Sequence, residues 1–158
     1  MVDARTTQHP HFSASSLFVL RVLRVERQSL LTPVNPESLA SPKGYSHGMK
    51  GSGDVLFVAG QIGWDRGKVL VSDDLVAQFA QALDNVLDVV WAAGGSPQSV
   101  ARMVLYVTDK AEYRTRAKDI GAEYRRRMGK HYPAMALVEV KSLLEDGAKV
   151  EIEATALV

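Results

Sequence analysis

The sequence predicts an α+β domain: a mixed β-sheet with two helices packed on one face. Three observations predict it. Apolar stripes at helical spacing occur twice, near residues 76–90 and 113–128. Short runs rich in β-formers lie before, between and after them, such as Val55–Gly60 and Val100–Val107. Turn residues punctuate each junction. The resulting order is ββ(β)αβαββ, and two helices of this kind cover one sheet face.

Each element has its own signal. Gly51-Ser52-Gly53-Asp54 reads as a turn joining His47–Lys50 to Val55–Gln61 in a hairpin. Trp64–Gly67 is a second turn, and Lys68–Val71 a short strand. Ser72, Asp73 or Asp74 caps the first helix. Its stripe is Val76, Phe79, Leu83, Val86 and Val90, and Gly94-Gly95 stops it. Val100–Val107 is a strand. Asp109 and Glu112 form a capping box for a second helix with the stripe Tyr113, Ala117, Ile120, Tyr124 and Met128, ended by Gly129. Ala136–Leu143 and Ala148–Leu157 are strands, and Glu145-Asp146-Gly147 favours a tight hairpin between them. Runs such as VLFVAG and ALVEV are apolar enough to bury both faces, so the uncovered sheet face is expected to pack on other subunits.

Residues 1–40 read as an N-terminal extension, loosely ordered with one extended segment near Leu17–Val25, and residues 41–158 as the domain. Arg21 and Arg24 interrupt that segment too soon for a secretory signal. Asp3 and Glu26 count against a mitochondrial-type transit peptide. No apolar run approaches the ~18 residues that span a bilayer.

Composition excludes several chemistries. The 158 residues contain no cysteine, so disulfides, thiolate nucleophiles and cysteine-bound metals are absent. That fits a reducing cytoplasm. A net charge of +1 points to neither nucleic acid nor membrane as partner. Gly60–Gly63 and Gly67-Lys68 lack phosphate-loop spacing, and Val69 stands where a magnesium-binding hydroxyl is needed. No Gly-x-Ser-x-Gly elbow occurs. His9, His11, His47 and His131 include no pair at helical metal spacing. Arg125-Arg126-Arg127 reads as a solvated helix end rather than a nucleic-acid patch, since no aromatic residues interleave it.

Several segments resemble one family in order and spacing. They are Val58–Ile62 (VAGQI), Gln81–Val86 (QALDNV), Ala92–Gly95, Val104–Asp109 (VLYVTD), and Tyr132-Pro133-Ala134 followed by Val138–Val140 and Val150–Ala154 (VEIEA). Together they resemble the YjgF/RidA (L-PSP) family over about three quarters of the chain. The resemblance implies a chorismate-mutase-like fold and a homotrimer with a small-molecule cleft between adjacent subunits. It also implies hydrolysis of reactive imines or enamines to carbonyl and ammonia, with no cofactor or metal. The family carries a ribonuclease label too, but the sequence offers no His pair or metal cluster for that chemistry.

Residue by residue, Glu151 matches the glutamate that orients the attacking water. Gly60 matches a backbone carbonyl facing the cleft, and Tyr45 a tyrosine at its mouth. Leu137 falls at a small or thiol pocket position. Met135 falls where the family carries an arginine that grips a substrate carboxylate. A guanidinium binds a carboxylate with two charge-assisted bonds, and a thioether offers neither charge nor strong hydrogen bonding. Two readings follow. One is a deaminase of altered specificity, with Arg102 or Lys141 as alternative cations. The other is a non-catalytic trimer that binds a small molecule.

Overall fold

The computed structural model describes residues 31–158. The expectations for Leu17–Val25, His9 and His11 lie outside them. Six strands and three helices follow in order: β1 (Thr32–Val34), β2 (Gly48–Lys50), β3 (Val55–Ile62), α1 (Leu75–Ala92), β4 (Val100–Val107), α2 (Lys110–Thr115), α3 (Ala117–Met128), β5 (Ala134–Glu139) and β6 (Val150–Leu157). A 3₁₀ turn at Pro97–Ser99 leads into β4.

The main sheet has the strand order β3-β6-β4-β5. Only β4 and β5 run parallel, as the helical crossover between them requires. Helix α1 packs on β3 and β6, and α3 packs on α1. The α1 stripe brings Phe79, Leu83, Val86 and Val90 into one core with Met103, Leu105, Val107, Ile152 and Ala154 of the sheet. Asp74 caps α1 by accepting from the Ala77 N–H at 2.9 Å. Gly94, at φ +86°, turns the chain out of the helix in a conformation that costs a side chain. Thus α+β architecture, mixed sheet and one-sided helical cover are all present.

Both expected hairpins are corrected. Strand β2 pairs with β1, not with β3 (Thr32↔Lys50, Val34↔Gly48). The start of β3 belongs to β6 instead, and Asp54 and Val158 exchange two 2.9 Å backbone bonds beyond its end. Likewise β5 and β6 are not neighbours, because β4 lies between them. The Glu145–Gly147 turn therefore ends a longer connection that passes the end of β4. Strand β5 also stops at Glu139, so Lys141 lies outside it. Lys68–Val71 gives only a single bridge, Leu70 to Trp64.

The second helix is divided at Arg116. The Thr115 hydroxyl donates to the Ala111 and Glu112 carbonyls, competing with the helical ladder. Arg116 turns aside to bond Asp74 at 2.7 Å, and Ala117 is left exposed. Asp109 caps α2, whereas the Glu112 carboxylate meets Lys149 at 3.1 Å and so does not close the capping box.

Among the described residues, the face of the sheet opposite the helices carries exposed apolar side chains. Phe57 is 78% exposed and Val55 55% exposed on it. No helix among the described residues is long and apolar enough to cross a membrane.

Candidate functional site

Strand alternation decides which side chains share a face. On β6, Val150, Ile152, Ala154 and Ala156 are buried toward the helices, and Glu151 and Glu153 point the other way. Their partners on β4 follow suit. Tyr106 lies opposite Glu151, and Val104 opposite Glu153.

Glu151 and Gly60 are in direct contact. A Cβ placed on Gly60 would overlap Glu151 Oε1 and lie 2.7 Å from its Cδ. Only glycine lets the carboxylate lie across the β3 backbone here. A register shift between Val58 and Gln61 puts Gly60 in that position, since a bulge bends the strand locally. Asn85 secures the strand end beyond it. Its Nδ2 donates to the Ile62 and Trp64 carbonyls at 3.1 and 3.0 Å, and its Oδ1 accepts from Gln81 at 2.9 Å.

Tyr45, Met135 and Leu137 form a second group, at the β5 edge. Met135 pairs with Met103 and Leu137 with Leu105, so both point to the helix side of the sheet. The helices end short of this edge. Met135 is half-buried against the core, and Leu137 remains 42% exposed. Ser46 latches the preceding segment here. It bridges Ala134, its N–H donates to the Pro133 carbonyl at 3.0 Å, and its hydroxyl donates to the Tyr132 carbonyl at 2.7 Å. Tyr45 thereby stands beside the start of β5, its ring edge-on to His47 at 5.4 Å.

Of the five residues expected to form one site, Glu151 and Gly60 thus meet on one face of the sheet, Met135 and Leu137 lie on the other, and Tyr45 stands beside the start of β5. A single chain cannot bring them together.

Other groups lie on the Glu151 face. Arg102, on β4, contacts Glu153 at 3.3 Å. Desolvation pushes the Tyr106 phenol up, and the Glu153 carboxylate adds to this, so the hydroxyl stays a donor. Glu153 and Tyr106 escaped notice in sequence, although Glu-x-Glu alternation on β6 already puts two acids on one face. Of the two alternative cations, Arg102 shares the face of Glu151, and Lys141 lies beyond β5. The basic run is largely partnered: Arg127 binds Asp84 at 2.6 and 2.7 Å and also Glu123, while Arg126 binds Glu123 at 2.6 Å. Among the described residues, no group of three or more His, Asp or Glu is placed to hold a metal ion.

Comparison with known proteins agrees with this fold. The endoribonuclease L-PSP family profile matches residues 36–158. A RutC family protein of Pyrococcus horikoshii is 35% identical over 122 residues, 76% of this chain and 92% of that one. A 2-iminobutanoate/2-iminopropanoate deaminase of Salmonella typhimurium is 33% identical over 108 residues, 66% of this chain and 80% of that one. Among solved structures, a Rid family protein of unknown function from Yersinia pestis superposes with a TM-score of 0.71 at 34% identity, covering 81% of this chain and 98% of that one. The chain has the YjgF/Rid fold and belongs to the endoribonuclease L-PSP family.

Proposed function

We propose that this protein is a cofactor-independent hydrolase that deaminates a reactive imine or enamine, working as a homotrimer with its site shared between subunits. The observation that carries the reading is the Glu151 carboxylate lying across Gly60, on the face opposite Met135 and Leu137. One chain supplies Glu151 and Gly60, and its neighbour supplies Tyr45, Met135 and Leu137. Residues 41–158 carry the whole site. Before residue 41, β1 pairs with β2 and the adjoining Asn35 accepts from the His47 N–H at 2.9 Å, which steadies the segment bearing Tyr45.

The chemistry needs a placed water and a proton carrier. Glu151 takes a proton from water as the water oxygen attacks the imine carbon, and passes that proton to the nitrogen. Glu151 then carries the carbinolamine hydroxyl proton to the nitrogen, the C–N bond breaks, and ammonia leaves as the carbonyl forms. The deaminase relative supports this reaction class. Specificity differs from that relative's named substrates, since Met135 stands where the family pattern has an arginine. With no cysteine in the chain, we place the protein in the cytoplasm.

The apolar pair Met135 and Leu137 favours one second reading, a non-catalytic trimer that binds a small molecule in the same cleft. The test is carbonyl formation from imines generated in situ by a flavin oxidase. The hydrolase reading expects acceleration over the protein-free rate that Glu151→Gln abolishes. Ligand-induced thermal stabilisation without turnover, equal in both proteins, would establish the binding reading instead.

A further inference from the structure

We propose that the substrate is an imine or enamine carrying no carboxylate, of the kind formed when a simple amine is oxidised. The proposal rests on the imine-hydrolysis reading and names the substrate class for that same site.

Among the described residues, no hydrogen bond or ion pair brings a cation to Met135, Leu137 or Glu151. On β5, the helix-side residues are Met135, Leu137 and Glu139. The first two offer dispersion contacts only. Glu139, at the far end of the strand from Met135, is held by Lys110, which contacts it through Nζ at 2.8 Å and through its N–H at 2.9 Å, and Arg114 adds to the positive field at that end. On the other half, Glu151 and Glu153 face out, and among the described residues the base paired there is Arg102, which contacts Glu153 at 3.3 Å. Two acids and one base leave a surplus negative charge beside the Gly60 backbone. A substrate carboxylate there meets repulsion and no bidentate partner. A protonated imine meets the opposite field, and protonation makes its carbon a better electrophile for water.

The balanced reaction is R₂C=NH + H₂O → R₂C=O + NH₃. No electrons are gained or lost in it. The oxidation lies in the step that supplies the imine, a two-electron removal from a primary amine by a flavin- or oxygen-dependent enzyme. This protein therefore acts after an amine oxidation, and an aldehyde- or ketone-consuming reaction follows it.

The test compares two imines with the full-length protein. One is 1-phenylethanimine, generated from 1-phenylethylamine by a flavin amine oxidase. The other is 2-iminobutanoate, generated from 2-aminobutanoate by a flavin amino-acid oxidase. The expected kcat/KM ratio is at least about tenfold in favour of the carboxylate-free imine, a difference one charge-assisted contact readily makes. Met135→Arg should move the ratio toward 2-iminobutanoate. Equal rates, or a preference of the wild-type protein for 2-iminobutanoate, would overturn the substrate class and leave the hydrolase reading standing. If neither imine is accelerated and Glu151→Gln matches wild type on both, the hydrolase reading fails and this proposal with it.

Discussion

One missing methyl group at Gly60 makes room for the carboxylate of Glu151. The group that a Cβ would displace is the end of a flexible side chain, not backbone, so it can swing aside at small cost. Gly60→Ala should therefore fold, with a thermal midpoint within a few degrees of wild type, and lose turnover as fully as Glu151→Gln. Full activity in that variant would mean the observed position of the carboxylate is irrelevant. Asp74 offers a separate test by pH. Its hydrogen bond from Arg116 holds its carboxyl below the ordinary 3.8, and the capped Ala77 N–H adds to this. Glu123 is lowered by Arg126 and Arg127, and Glu139 by Lys110. Lowered carboxylates give stability that is present above their unfolded values and lost as pH falls through the folded ones. The melting temperature should be level from neutral pH to about 5 and drop below about 4. Asp74→Asn keeps a capping side chain and loses the charge. It should melt lower than wild type at neutral pH, and the two curves should converge in acid. A constant gap at every pH would show that the charge contributes nothing.

At the scale of elements, Gln78 joins α1 to the entry of β6. It is fully buried, donates to the Ser72 and Gly147 carbonyls at 2.9 Å, and accepts from the Lys149 N–H at 2.8 Å. Replacing it with leucine would remove three hydrogen bonds whose partly exposed backbone partners can turn to water, at a cost of roughly 3 kcal/mol. Urea titration reads this directly, and a loss under about 1 kcal/mol would contradict the clamp. Gln78 carried a faint sequence signal, a polar residue at stripe spacing between Leu75 and Ala82. What was legible followed periodicity. Helix α1 and strands β4 and β6 could be read because a stripe or an alternation marks each. Strand pairing could not. Adjacent runs joined by Gly-rich or Asp-Gly turns suggest hairpins, yet β2 pairs with β1, and β4 separates β5 from β6. The division at Arg116 was equally hidden, because it depends on Asp74, 42 positions earlier. Gly60 and Glu151 could be singled out from motif spacing. That they touch depends on the β3 bulge, and that Met135 lies on the other face depends on pairing across β4.

At the scale of the whole molecule, one sheet face is exposed among the described residues, with Phe57 its most exposed aromatic residue. The trimer proposal gives this apolar patch a neighbouring subunit to cover it. Under the trimer proposal, Phe57→Glu should convert the assembly to a monomer, read by light scattering at micromolar concentration. A monomeric wild-type protein would remove the proposal. The most direct test of the account uses two crippled variants, Glu151→Gln and Leu137→Arg, each with negligible turnover alone. Subunit exchange in a 1:1 mixture pairs an intact Glu151 with an intact neighbouring Leu137 in about one site in four, by the statistics of a closed ring. The account predicts that about a quarter of wild-type imine hydrolysis returns on mixing. Activity no greater than the sum of the two parents, once exchange is verified by mass, would contradict a site shared between chains.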